Sequence, residues 1–259
     1  MYHDVGDDLS AVPVPDRPYV LETARFEAQM DTLDRLGVRG VSLTRALPDL
    51  APEARTAAPL AVLTFDDGHL SNAVLVAPIL RRHGFTATFF VTASWIGQPR
   101  YMAWEHLRDL VTAGMEIGTH SLTHRPPVSL SPAELDHELR ESRRILEAGL
   151  GTPILTGSAP TGFHNPAIGR TARDAGYKAL CVSRIGLLRP GFDPFSIPRV
   201  PVKAGTSLPT FERVCRGEGA QIRSLRARQV VRNALKRGLG VEPYLRLRRA
   251  ILGFRDRSR

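Results

Sequence analysis

Asp66-Asp67-Gly68 and His120-Ser121-Leu122-Thr123-His124 are the two stretches of this 259-residue chain whose residue types could do chemistry together. Adjacent carboxylates repel, and in a confined site one is driven toward its protonated form unless a cation intervenes. A bound metal would resolve that conflict for one aspartate and leave the other free as a base. Two histidines four residues apart can turn both imidazoles onto one ion. The glutamate of a metalloprotease H-E-x-x-H helix is missing, which sets this segment apart from that class. Taken alone, Asp-Asp-Gly also describes an ordinary turn, and H-x-x-x-H a pair of solvent-facing histidines. Together, one carboxylate and two histidines form a facial set with open coordination positions, suited to zinc and also to iron, cobalt or nickel. Open positions point to catalysis rather than to a structural metal.

The flanking residues show what must position these groups. The apolar run 61–65 leads directly into Asp66, and the run 86–92 is apolar enough for a strand buried on both faces. A third strand over 115–119 leads into His120. Helices are expected over about 23–36, 72–83, 104–112 and 166–175. Another begins at Ser131-Pro132-Ala133-Glu134, where serine caps, proline takes the first turn and glutamate completes the capping box. Residues 40–43, 178–183 and 197–202 read as further strands. Strand–helix alternation at this rhythm implies an α/β fold with a mostly parallel sheet. At this length a distorted (β/α) barrel fits best, and both active motifs then sit at C-terminal strand ends, where such folds keep their chemistry. A doubly wound open sheet is the alternative, but no G-x-G-x-x-G follows a strand and no G-x-x-x-x-G-K loop is present.

Composition narrows the class further. Hydrophobic residues make up 42% and charged residues 24%, ordinary for one globular core. The longest apolar runs fall short of the roughly 18 residues of a membrane span. Met1-Tyr2-His3-Asp4-Val5 lacks a basic-then-apolar pattern, so no signal peptide is expected within this chain, and a cytoplasmic or peripheral membrane location is the expectation. Cys181 and Cys215 are not in a C-x-x-C pair and read as reduced structural thiols. Of 35 basic residues, twelve lie in 221–259, against two of the 26 acids (Glu242 and Asp256), so the net charge of +9 belongs to the tail. The division expected is a catalytic domain over 1–220 and a basic, helical extension over 221–259, broken near Gly238, Gly240 and Pro243. That extension could lie on an anionic membrane surface or pack as a solvated helix on the barrel. Interleaved aromatics are scarce and no nucleic-acid module is present, so nucleic acid is not an expected partner.

The motifs as they stand, Thr64-Phe65-Asp66-Asp67-Gly68 and His120-Ser121-Leu122-Thr123-His124, resemble the first two of the polysaccharide deacetylases, carbohydrate esterase family four. The likeness extends over most of 1–202, including the run 80–91 and Met102-Ala103-Trp104. The opening residues Met1 to Gly6, with Phe26, Gln29 and Leu33, resemble the subgroup that deacetylates exopolysaccharide poly-N-acetylglucosamine. The resemblance implies Asp66 as general base and Asp67, His120 and His124 as ligands of a divalent metal, zinc first, with cobalt, nickel or iron as alternatives. Ser158-Ala159-Pro160-Thr161-Gly162 is similar to the third motif, which implies substrate contacts from Pro160, Thr161 and Gly162 and an oxyanion donor in the Thr161 N–H. Ser158 stands where many relatives carry the arginine that tethers the base. Thr161 stands where an aromatic is usual, and no Leu-x-His follows Val202. In the exopolysaccharide subgroup the acid histidine comes from the N-terminal strand, which here assigns His3. His164 and Trp104 are further expected substrate contacts, with Phe163 beside them.

The expected activity is amide hydrolysis that removes N-acetyl groups from an N-acetylglucosamine-containing polysaccharide, glycan or lipid-linked sugar. Two rivals are another C–N hydrolase of the same superfamily and a non-catalytic carbohydrate-binding protein on the same fold, the latter motivated by Ser158 and Thr161.

Overall fold

The computed structural model describes residues 1–51, 59–162 and 165–239. In chain order the elements are β1 (Asp4–Val5), β2 (Val20–Leu21), α1 (Thr23–Arg35), β3 (Arg39–Val41), α2 (Leu43–Ala46), β4 (Leu60–Val62), β5 (Thr64–Phe65), α3 (Ala77–Arg82), β6 (Thr88–Val91), α4 (Trp104–Thr112), β7 (Glu116–Thr119), α5 (Pro132–Leu150), β8 (Thr156–Ser158), α6 (Pro166–Asp174), β9 (Ala179–Cys181), α7 (Leu208–Cys215) and α8 (Gly219–Leu239). Strands β5 to β9 form a parallel sheet in that order, while β1 pairs with β2 and β3 with β4, also in parallel.

The sheet curls until its edges meet through irregular backbone. Tyr2 N donates to Thr64 O (2.8 Å) and Asp66 N to Tyr2 O (3.0 Å). On the other edge Val182 N donates to Ile197 O (2.9 Å), and Val202 N to Met1 O (2.9 Å) closes the circle. The result is the distorted (β/α) barrel expected from the alternation. Its interior is aromatic: Tyr2 stacks on Phe65 at 5.1 Å and Phe65 on Phe89 at 5.0 Å, with Phe26 edge-on to both. Burial of such side chains contributes roughly 1.5–3 kcal/mol each. At the N-terminal strand ends Glu116 accepts hydrogen bonds from Thr44, Thr88 and Thr156, so this acid stitches three elements together far from the motifs.

Several expected elements change form. The run 61–65 is not one strand. Leu63 donates to Val41 O (3.0 Å) and accepts from Thr88 N (3.0 Å), so the backbone passes from one partner to another there. The run 197–202 makes only an isolated bridge, Ile197 to Cys181, because Pro198 and Pro201 offer no ladder donors. The helix over 72–83 opens as a wider π turn, Asn72–Val76, before α3. The Asn72 side chain is thereby free to donate to His3 O (2.9 Å).

The basic helix α8 begins at Gly219, so the expected division at 220/221 falls inside its first turn. Ile222 is buried, Arg226 Nε donates to Ile185 O (2.7 Å) and Gln229 accepts from Ile185 N (2.9 Å), which fastens its first half to the barrel. The expected break at Pro243 lies outside the described residues, and Gly238 is inside the helix. Among the described residues no helix is long and apolar enough to cross a membrane.

A Cβ on Gly118 would meet Phe90 ring atoms at 2.6 Å and Thr156 O at 2.8 Å, and the latter is backbone of the next strand. Gly118→Ala is expected to lower stability by about 1–3 kcal/mol. Urea unfolding of the two proteins checks this, and equal midpoints would show that the barrel relaxes freely at β7.

Candidate active site

β5 ends at Phe65, and the next two residues turn their carboxylates to different tasks. Asp67 takes φ 77° and Gly68 φ 83°, both in the left-handed region. Glycine suits the second position, because a Cβ there would press on Val91 at 3.2 Å. Asp66 is 3% exposed and Asp67 is largely buried.

The histidine loop is held from two directions. His120 N donates to Val91 O (2.8 Å), which continues the β6–β7 ladder into the ligand. Ser121 and His124 take positive φ of 67° and 61°, an unfavourable backbone for residues with a Cβ. The buried carboxylate of Glu138, on the inward face of α5, compensates: it accepts from Leu122 N and Thr123 N at 2.9 Å each, and from the Thr123 hydroxyl. Ser121 Oγ accepts from His124 N (3.1 Å).

The three expected ligands converge. Asp67 Oδ1, His120 Nε2 and His124 Nε2 lie within 4.8 Å of one another, with Oδ1 at 3.4 and 3.3 Å from the two nitrogens. Their chemistry fits a cation. His120 Nδ1 faces Ser158 O at 2.9 Å, so that nitrogen carries the proton and Nε2 presents a lone pair. Asp67 Oδ1 is buried without a hydrogen-bond partner. Buried lone pairs that face one another are costly unless a positive ion lies between them. An Asp–His–His set of this kind suits zinc.

Electrostatics agree with that division of labour. Burial alone would raise the Asp66 carboxyl. The Arg199 charge and hydrogen bonds outweigh it, with His120 and His3 adding to the effect, and hold it at about 2. Burial also works against an ionised Asp67, yet contacts with His124 and His69 and the charges of His3 and His120 bring it well below the usual carboxylate range. Burial lowers His120 to about 4 and pushes His3 down as well, so both imidazoles are neutral near pH 7.

Arg199 overturns the expectation that Asp66 lacks an arginine. Its Nη1 donates to Asp66 Oδ1 (2.7 Å) and its Nη2 to Oδ2 (2.9 Å), a bidentate pair in which both side chains are about 5% exposed. Nη2 also donates to Ser158 Oγ at 2.8 Å. A small residue at 158 thus leaves room for a guanidinium delivered by the 197–202 segment. The available signal was an arginine inside an apolar run, since a buried arginine demands an anion. Glu138 had the same kind of signal, an acid on the stripe of Leu135, Leu139 and Leu146.

His3, just before β1, lies close enough to both aspartates to feel their charge, with its ring against Tyr19 at 4.7 Å. Pro160 to Gly162 form a short turn beside β8 in which Thr161 takes φ 57°. Trp104 does not join the group: its indole packs against Gly149 of α5 and the main core. His164 and Phe163 lie outside the described residues. Two site neighbours were not anticipated. His69 sits with Nε2 3.6 Å from Asp67 Oδ2 and Nδ1 3.7 Å from Asp4 Oδ2. Trp95 lies with its ring 4.8 Å from that of His124.

Comparison with known proteins agrees with this fold. Residues 53–180 match the polysaccharide deacetylase family model. The chain is 28% identical to a chitooligosaccharide deacetylase of a Bradyrhizobium species over 71% of its length and 89% of that protein. It is 29% identical to a peptidoglycan-N-acetylglucosamine deacetylase of Bacillus cereus over 46% of its length and 54% of that protein. Among solved structures it resembles the Streptococcus pyogenes deacetylase PplD in complex with acetate (TM-score 0.75, 20% identity, 83% of this chain and 95% of that one). It also resembles IcaB from Ammonifex degensii (TM-score 0.70, 26% identity, 83% and 93%).

The Asp66–Arg199 pair makes a pH-dependent contribution to stability. Asp66 is depressed from its ordinary 3.8 to about 2, so its contribution is present above about pH 4 and is lost as pH falls toward 2. The loss amounts to on the order of 2 kcal/mol. Arg199→Gln is expected to destabilise the protein at pH 7 by about 3–5 kcal/mol, because it strands a buried carboxylate. Urea unfolding between pH 2 and 7 measures both, and an unchanged pH 7 midpoint in the variant would show that Asp66 is not held by Arg199.

Proposed function

The chain belongs to the polysaccharide deacetylase family through residues 53–180, and from that premise we propose that it is a divalent-metal-dependent hydrolase of N-acetylglucosamine units in a polysaccharide. The observation that carries this reading is the convergence of Asp67, His120 and His124, with Asp67 Oδ1 buried and without a hydrogen-bond partner and an ionised Asp66 adjacent. The likeness of the opening residues Met1 to Gly6, Phe26, Gln29 and Leu33 to the exopolysaccharide subgroup favours poly-N-acetylglucosamine, and the chitooligosaccharide and peptidoglycan relatives favour the same sugar unit. Zinc suits the donor set best, and cobalt, nickel and iron are the alternatives.

A divalent ion held by Asp67, His120 and His124 would supply Lewis acidity, drawing electron density from the acetamide carbonyl and acidifying a water. Asp66, kept unprotonated by Arg199, accepts the proton that this water releases as it attacks. The left-handed turn at Thr161 offers a backbone N–H to the developing oxyanion. His3 would take up a proton from solvent and hand it to the departing amine, and Asp66 would return to solvent the proton it gained, which closes the cycle. The lowered pKa of His3 makes the imidazolium a ready donor once it forms. A non-catalytic reading loses its main motive, since Arg199 supplies what Ser158 does not.

Acetate release from N-acetylated chitooligosaccharides and poly-N-acetylglucosamine by the zinc-, cobalt- or nickel-loaded protein tests the reading. Chelation and Asp66→Asn are each expected to lower kcat by at least about 10²-fold. Activity that survives both treatments would overturn the mechanism. His3→Ala is expected to lose about 10²-fold on the amide and far less on 4-nitrophenyl acetate, whose leaving group needs no acid. Equal losses on both substrates would remove His3 from that role.

A further inference from the structure

The segment 197–202, which closes the barrel beside Met1, also forms one wall of a cavity of about 330 Å³ that β4 and α7 complete. Leu33, Leu63 and Phe211 line it from the main core and are buried. Four further lining residues, Leu60, Leu187, Val214 and Leu225, are only half-buried and mark its mouth. These four pack against neither cluster of buried apolar side chains, whereas Ala61 and Val62 beside them do. Thr64 and Arg199 belong to the lining, but Asp66, His3 and the three metal-facing residues do not. The cavity is therefore separate from the catalytic site, with Arg199 in the wall between them and its guanidinium turned to Asp66.

The lining and the rim differ in character. Arg199 is the one charged side chain of the lining, and it is already paired, so a charged head group finds no side-chain partner inside. The rim is basic. Residues 208–239 carry eight Lys/Arg against two acids, Glu212 and Glu218, and Glu212 is held by Arg35 and Arg216. Arg213 stands one turn after the lining residue Thr210, and Arg228 one turn after Leu225, so each shares a helix face with the lining. Both are exposed and, among the described residues, have no acidic partner. A volume at the lower end of the roughly 300–1,000 Å³ of small-molecule sites favours one chain of medium length. Filling it with hydrocarbon would take the half-buried aliphatic side chains at the mouth out of water.

We propose that this cavity binds a single-chain anionic amphiphile of the medium-chain alkanoate class, with the hydrocarbon inside and the carboxylate met at the mouth by Arg213 and Arg228. The site does not involve the metal, and the inference stands independently of the deacetylase reading.

Isothermal titration of the full-length, zinc-loaded protein with octanoate, decanoate and dodecanoate tests this. Acetate is kept in excess, so that the metal site is taken by a carboxylate without a chain. Affinity is expected to rise about fourfold for each added methylene until the cavity is full. Arg213→Gln and Arg228→Gln together are expected to weaken decanoate about tenfold and to leave decanol unchanged. Leu225→Trp and Val214→Trp, which fill the mouth, are each expected to abolish binding of both in proteins whose thermal midpoints show them folded. Cys215 is half-buried in the lining while Cys181 is fully buried, so decanoate is also expected to slow the reaction of Cys215 with N-ethylmaleimide. No saturable binding of any alkanoate, an affinity independent of chain length, or wild-type binding by both folded tryptophan variants would overturn the proposal. Equal affinity for decanoate and decanol would overturn it as well. So would sedimentation with phosphatidylglycerol vesicles by a protein that ignores free alkanoates, because the basic rim would then serve a membrane surface.

Discussion

Two neighbouring carboxylates, both withdrawn from water, are the constraint on which this molecule turns. Asp66 and Asp67 follow one another at the end of β5, and burial opposes the ionised form of each. The fold answers separately for the two. Asp66 receives a guanidinium from across the barrel, in bidentate geometry. Asp67 receives no such partner and instead faces the Nε2 atoms of His124 and His120 at 3.3 and 3.4 Å. A buried ion pair of the first kind contributes little net stability compared with an apolar substitute. Its value here is that Asp66 stays unprotonated and oriented. The second arrangement is unfavourable as it stands and becomes favourable with a cation, which is how a binding site differs from a structural salt bridge.

The backbone carries a matching cost. Asp67, Ser121, His124 and Thr161 all take positive φ, and all lie in or beside the site. Each such residue costs on the order of 1–3 kcal/mol relative to relaxed backbone. Glu138 offsets part of it by satisfying two consecutive amides of the histidine loop and one hydroxyl, and the 93–102 segment binds that same loop to the aspartate turn. Strain of this kind persists because the parallel strands beneath it are short, closely paired and filled with stacked aromatic rings.

What the sequence made legible follows from the range of each interaction. Asp66, Asp67, His120 and His124 lie in two short motifs, each directly after a β-rich run, so local reading found them and the alternation of elements placed them on one rim. The α5 capping box is equally local and appears as expected. Arg199, Glu138, His69 and Trp95 were not found, because each acts on residues that only folding brings near. Trp104 was the tryptophan expected at the substrate, but the ring beside His124 is that of Trp95. What separates them is that Gly149 leaves a hollow for the Trp104 ring, a fact of helix packing between α4 and α5. The division of 61–65 between two strand partners has the same origin: hydrophobic pattern marks a buried strand but not the neighbour it pairs with.

The exchange at Ser158 carries this point into the chemistry. A motif read along the chain records which residue stands at a position, and by that measure the base has lost its arginine. The carboxylate responds to where positive charge lies in space, and a guanidinium from Arg199 arrives from the segment that closes the barrel beside Met1, a stretch whose two prolines prevent it from forming a regular strand. The serine then has a use of its own, since its hydroxyl accepts from the same Nη2 while its carbonyl fixes the His120 tautomer. One small residue thus touches both halves of the site, the Asp66–Arg199 pair through its side chain and the His120 imidazole through its backbone. Substituting Ser158 would remove the hydroxyl that accepts from Arg199 Nη2 and leave in place the backbone carbonyl that faces His120, whereas substituting Arg199 would act on Asp66.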